Sequence, residues 1–146
     1  MLGTHPVRKL GAAATLALLA ALGVSLGTTA AAPARVQAPS NVSVVLKEWK
    51  LIPSSASVKA GTVTFLVKND GTLDHEFVVL RSDRRPSALP VKGGQAVETG
   101  LRGEIPKVVP GQVRSLTLSL KPGKYVLLCN LLGHYKAGQY AALRVT

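Results

Sequence analysis

The chain has 146 residues, 47% of them hydrophobic and 17% charged, with 18 Lys and Arg against 7 Asp and Glu and a formal net charge of +11. That length is a prior for one domain, and a single cysteine excludes an intramolecular disulfide framework. Aromatics make up only 4% and the cations are scattered singly, which argues against a nucleic-acid groove, where stacking platforms accompany the basic surface.

The first segment is not part of a fold. Arg8 and Lys9 precede an uncharged apolar run from Leu10 to Gly27, followed by the small residues "TTAAAPA". A basic start, an apolar middle and a small-residue cleavage zone predict a secretory signal peptide over residues 1–34. Cleavage after Ala32 or Ala34 satisfies the spacing rule, and Pro33 disfavours the first. The rival is an uncleaved anchor, but the run falls short of the about 20 apolar residues that a spanning helix uses. Export to the periplasm or medium is therefore expected, with no stable membrane insertion after cleavage. No cysteine lies near this segment, which excludes a lipid-bearing cysteine at the mature N-terminus. A short linker is expected at 35–41 and one domain at 42–146. From Arg35 on, the chain keeps 16 of the Lys and Arg and all 7 acids, a formal charge of +9. Such a charge suits encounter with an acidic partner.

The mature part reads as strands. Val42, Val44 and Leu46 fall at every second position, as do Val63, Phe65 and Val67, and Leu116, Leu118 and Leu120 do so between Ser115, Thr117 and Ser119. A period of two marks half-buried strands. The runs "HEFVVL" and "YVLLC" are more continuously apolar, and "YAALRVT" ends the chain. Turn signals fall at "KAG", "NDG", "VPG" and "KPG". Past the first segment no helical period occurs. The pattern predicts an all-β Greek-key sandwich or barrel of about 7–8 strands. The stretch from Arg81 to Val109, with three prolines and a Gly-Gly pair, is expected as a long connection crossing between sheets or covering one end, with a short strand near Gln95 to Thr99. Trp49 and Tyr125 are expected in the core. The "NVS" at 41–43 carries little weight as a glycosylation site in a chain with a bacterial-looking signal.

An unpaired cysteine in an exported protein is an inert buried thiol, half of an intermolecular disulfide, a nucleophile or a metal ligand. Strand phase helps to choose. Cys129 shares a face with Tyr125 and Leu127 at a strand end, and His75 shares a face with Phe77 and Val79 at a strand start. If these strands are antiparallel neighbours, both residues meet at one end of the sandwich. Gly133 then lets the following loop bring His134 back, and Gly138 does the same for Gln139. Two imidazoles and a thiolate form the trigonal blue-copper pattern, for which glutamine is an accepted weak axial donor. Taken singly, Cys129 reads as a small hydrophobe, His134 as an exposed loop residue and His75 as a solvated turn; together, in this order, they favour a metal.

With these residues in view, the chain resembles the cupredoxins, the small blue copper proteins of the plastocyanin and azurin kind, over roughly Val42 to Thr146. "GKYVLLCNLLGHYKAGQY" carries the resemblance, supported by "AGTVTFLVKNDGTLDHEFVV". It implies one copper ion held by His75, Cys129 and His134, with Gln139 where the family usually has methionine, as in stellacyanin-like proteins. Many relatives place an asparagine just after the first histidine to tie the ligand loops together; here Glu76 stands there, which leaves that tie unassigned.

The resemblance implies an electron carrier rather than an enzyme. His134 would be the electron port, Leu131, Leu132 and Tyr135 an apolar docking patch, and an acidic redox protein the partner of a monomer. The alternative is copper storage, delivery or sensing without electron transfer. Such proteins often have methionine-rich sites, whereas the only methionine here is Met1. A Cys-His enzyme lacks an evident orienting third group, and no histidines remain for a second copper centre.

Overall fold

The computed structural model describes residues 2, 3 and 38–146. The expected signal peptide over 1–34 and most of the linker lie outside the described residues. The alternating segments form strands where their period predicts them: β1 Ser40–Lys47, β4 Gly61–Asn69, β9 Val113–Leu120 and β11 Tyr140–Val145. The apolar runs form β5 His75–Arg81 and β10 Gly123–Leu128. Shorter pieces are β2 Lys50–Pro53, β3 Ser57–Val58, β6 Val91–Lys92 and β7 Gln95–Ala96. The remaining strand, β8 Leu101–Val108, was not expected.

Two sheets pack as a sandwich, in the orders β2-β1-β4-β9 and β3-β11-β10-β5-β8, and β6 and β7 form a separate hairpin. The expected β-sandwich is therefore present, with nine strands in its sheets rather than seven or eight. Pairing is antiparallel except for β1 with β4 and β11 with β3. Inward residues of the first sheet (Val42, Val44, Leu46, Val63, Phe65, Val67) meet Phe77, Val79, Tyr125 and Leu127 of the second in one buried cluster. Phe65 and Phe77 touch across the interface with ring centroids 5.3 Å apart.

The continuous apolar character of β5 and β10 has a physical cause: their sheet is covered on both faces. Val78, Leu80, Val126 and Leu128 point away from the sandwich interior and bury themselves under Leu89, Ala96 and Tyr135. The excursion after Arg81 thus covers an outer sheet face rather than an end of the sandwich. It returns as β8, the edge strand beside β5. Gly103, Pro106 and three charged residues hid β8 in the sequence; an edge strand tolerates proline and charge because one side of its ladder is unpaired.

Candidate metal centre

β5 and β10 are antiparallel neighbours in the register Val79↔Leu127 and Val78↔Leu128. That register sets His75, the first residue of β5, at the same end as Cys129, the residue after β10. Both are fully buried. From Cys129 the chain makes a run of turns, closed by Cys129 N–H donating to the Gln139 carbonyl at 3.0 Å. Within it His134 N–H donates to the Leu131 carbonyl and Ala137 N–H to that of Gly133. Gly133 and Gly138 have φ of +83° and +107°, which side chains rarely adopt, so glycine is required where this loop reverses.

The outcome is one donor cluster. Cys129 Sγ lies 3.3 Å from His134 Nδ1 and 3.9 Å from His75 Nδ1. Metal–nitrogen and metal–sulfur bonds of about 2.0 and 2.3 Å, at angles between tetrahedral and trigonal, separate such donors by about 3.5–3.7 Å. The donor set fits a single ion. Its softness fits copper, since a thiolate with two imidazoles suits both copper oxidation states.

The electrostatics agree. Burial, and secondarily His134, push the His75 pKa down, so its ring is neutral with a lone pair available. Burial pushes the Cys129 thiol up, against the N–H groups of Glu76 and Leu131 that draw it down. A buried thiol without a cation keeps its proton; a metal ion is what makes a thiolate favourable here. The same burial disfavours a nucleophilic role.

Gln139 is fully buried beside the cluster. Its Nε2 donates to the Lys47 carbonyl at 2.9 Å and lies 3.0 Å from His75 Nδ1. Its Oε1 is buried with no hydrogen-bond partner, an arrangement that ordinarily costs about 1–3 kcal/mol. His75 Nε2 is likewise unpartnered, and the nearest acid is Glu48, whose Oε1 is 3.5 Å away. The Leu73 N–H, its own N–H and the Thr72 N–H hold the Glu48 carboxyl down to about 2. A Cβ at Gly71 would fall on that carboxylate, which would have to shift to admit it.

The tie between ligand loops, left open by Glu76, is made by other groups. Glu76 contributes its backbone, whose N–H donates to Cys129 Sγ at 3.2 Å. Buried Asn130 ties the residue after Cys129 to β7 and the turn beyond it. Its Oδ1 accepts from Ala96 N–H at 2.7 Å, and its Nδ2 donates to the Ala96 carbonyl and to Glu98 Oε1. An asparagine in an apolar run signals such a network, because buried amides need partners. The Glu76 side chain instead sits with Glu98 and Glu104. Desolvation, then those two charges, raise its pKa to about 7.

Two expectations require correction. Trp49 is not core: it occupies the two-residue turn between β1 and β2, is 43% exposed, and sets its ring edge-on to His134 at 5.0 Å. A turn ends the strand's in–out alternation, so residue type alone misplaced it. Tyr135 is no surface residue either. It is buried, and its hydroxyl accepts from Leu89 N–H at 2.9 Å and donates to the Pro86 carbonyl at 2.8 Å. Tyr125 is buried as expected, and Leu132 is 72% exposed.

The model of the cupredoxin-like domain family matches residues 15–140. The copper-resistant cuproprotein CopI of Pseudomonas aeruginosa is 30% identical in an alignment covering 88% of this chain and 94% of that protein. Among solved structures, dithionite-reduced auracyanin from Roseiflexus castenholzii is similar with a TM-score of 0.56 and 21% identity, covering 73% of this chain and 97% of its own. Auracyanin A, a "blue" copper protein from Chloroflexus aurantiacus, gives 0.55 and 19%, covering 75% and 100%.

Proposed function

The chain belongs to the cupredoxin-like family and its cofactor is one copper ion; from that premise we propose that it is an exported carrier of single electrons, not an enzyme, in which His75, Cys129 and His134 hold the metal and Gln139 is the axial donor. The observation that carries this reading is the convergence of Cys129 Sγ and one ring nitrogen each of His75 and His134 within 4.8 Å of one another.

Copper supplies a one-electron couple when bound. The chain's own residues do the rest. Strands β5 and β10, buried on both faces, fix His75 and Cys129 so that little rearrangement accompanies a change of charge. The Glu76 N–H stabilises charge on Cys129 Sγ. Glu48 faces His75 Nε2 and helps to orient that ring, as a carboxylate behind a ligating histidine does. In the axial role the Gln139 amide would turn its oxygen toward the metal and give up the bond from Nε2 to the Lys47 carbonyl; that oxygen, harder than a thioether, would favour the oxidised metal.

His134 is the one member of the three that reaches the surface. Trp49 and Leu132 are the exposed apolar groups beside it and make the docking surface for a redox partner. The acidic character expected of that partner finds little support at this end, where cations and acids nearly balance. The protein is a monomer in this reading, released by removal of residues 1–34 into the periplasm or medium.

A second reading, copper handling without electron transfer, is favoured by the relation to a copper-resistant cuproprotein. Copper titration followed by visible absorption and electron paramagnetic resonance tests the centre: an intense thiolate-to-copper band is expected, and a colourless protein with a reactive thiol overturns it. Electron self-exchange then separates the readings. Fast exchange supports a carrier; exchange too slow to detect, together with copper sensitivity on deletion of the gene, supports handling.

A further inference from the structure

The charge of the domain is concentrated at one place. β5 runs from His75 to Arg81 and β10 from Gly123 to Leu128, so the strand ends away from the metal form an opposite pole. Arg81, Arg84 and Arg85 lie at and beyond the end of β5, and Arg102 is on the neighbouring part of β8. Lys121 and Lys124 flank the β9–β10 turn, Arg144 pairs with Lys124 across β10 and β11, and Lys59 precedes β4. These eight cations face one acid, Asp83; the rest of the described domain has seven cations and six acids. The polar cations are exposed and, among the described residues, none joins an ion pair. Adjoining clefts run between them, one lined by Arg81, Arg102 and Lys121 and the next by Arg84, Arg85, Lys124 and Arg144.

The chain also enters the domain here. β1 begins at Ser40, which pairs with Val63 near the start of β4, and β4 starts opposite Leu120 at the cationic pole. The apolar run Leu10 to Gly27 ends 12 residues before Ser40. The chain N-terminal to Ser40 therefore joins the domain at this pole and not at the metal end.

We propose that the cationic pole is a membrane-docking surface that rests on anionic lipid headgroups and presents the metal end to the aqueous side. Charge complementarity fits an anionic surface, and the point of chain entry selects a bilayer over an acidic protein. The six residue steps from Arg81 to His75 hold the centre about 20 Å from the lipid. The inference does not depend on the metal.

The test is partitioning of the protein, as recovered from exporting cells, into phosphatidylcholine vesicles with and without about one third phosphatidylglycerol. The ratio of the two cancels any contribution of a retained apolar segment. A ratio well above one that falls with salt is expected. Arg84→Gln/Arg85→Gln/Lys124→Gln should lower it on the order of 100-fold, about fivefold for each cation, whereas Lys50→Gln/Lys92→Gln/Arg114→Gln, with the same net charge, should change it less than about fivefold. Equal losses in the two variants overturn the proposal in favour of net charge alone. Equal partitioning of the parent protein overturns it in favour of an acidic protein partner. Trp49, the only tryptophan, gives an independent reading from the metal end. Its quenching by acrylamide should be unchanged on anionic vesicles; protection of Trp49 overturns the proposed orientation.

Discussion

At the metal end the polar atoms turn inward. His75, Gln139 and Asn130 are buried, Asn130 in a closed set of hydrogen bonds, and the surface charges there offset each other, with Lys68 and Asp70 and Lys107 and Asp74 each paired at 2.8 Å. At the opposite pole the polar atoms turn outward and the cations have no acidic partners. The same strands make both ends, so the difference comes from the residues at the strand ends and in the loops that join them. It teaches that a net charge of +11 describes neither end. In the proposed carrier reading, a redox partner would meet a nearly neutral surface at His134 and dock on Trp49 and Leu132, whereas the far pole carries the strong field.

The largest effect should come from Cys129→Ser, which removes the sulfur donor. The thiolate-to-copper band should vanish and copper affinity fall by orders of magnitude, read by titration and absorption. Arg84→Gln/Arg85→Gln should leave that band unchanged; a spectral shift from the far pole would break the independence of the two ends.

Asn130→Ala should come next. It leaves Ala96 N–H and C=O without their partner, at a cost of about 2–3 kcal/mol, or roughly 10–20 °C in Tm by calorimetry. Unaltered Tm would mean that the ligand loop is held some other way.

If Gln139 is the axial donor as proposed, Gln139→Met exchanges a harder donor for a softer one. The reduction potential, measured by voltammetry, should rise by roughly 60–120 mV, one to two decades of relative affinity for the two oxidation states. An equal or lower value removes Gln139 from the axial position. Glu48→Gln takes a negative charge from behind His75 and should raise the potential by a smaller amount, with the absorption band retained.

The smallest effect concerns pH in the metal-free protein. The folded-state pKa of Glu76 is raised to about 7 from an ordinary 4.5, so the folded chain holds this proton more tightly than the unfolded chain. Stability from this group is therefore present below about 4.5 and lost as pH rises to about 7. Denaturant unfolding of Glu76→Gln should show a flatter profile over that interval.

Much of this was legible without coordinates. Alternation at Val42, Val63 and Leu116 placed the strands because side chains in a strand change face at every residue. The face shared by Tyr125, Leu127 and Cys129, and that shared by His75, Phe77 and Val79, required only that period and an antiparallel pairing. The spacing of Cys129, His134 and Gln139, with glycines between, set the ligand loop, since closing a short loop depends on local backbone freedom. Three things needed the tertiary structure. β8 was hidden because an edge strand answers to one neighbour and keeps polar residues. Trp49 and Tyr135 exchanged their expected places because burial in a loop depends on what packs over it: the excursion after Arg81 covers Tyr135, whereas Trp49 packs edge-on against His134 and stays 43% exposed. The gathering of eight cations at one pole comes from residues between 59 and 144, and only the return of every strand to that end brings them together.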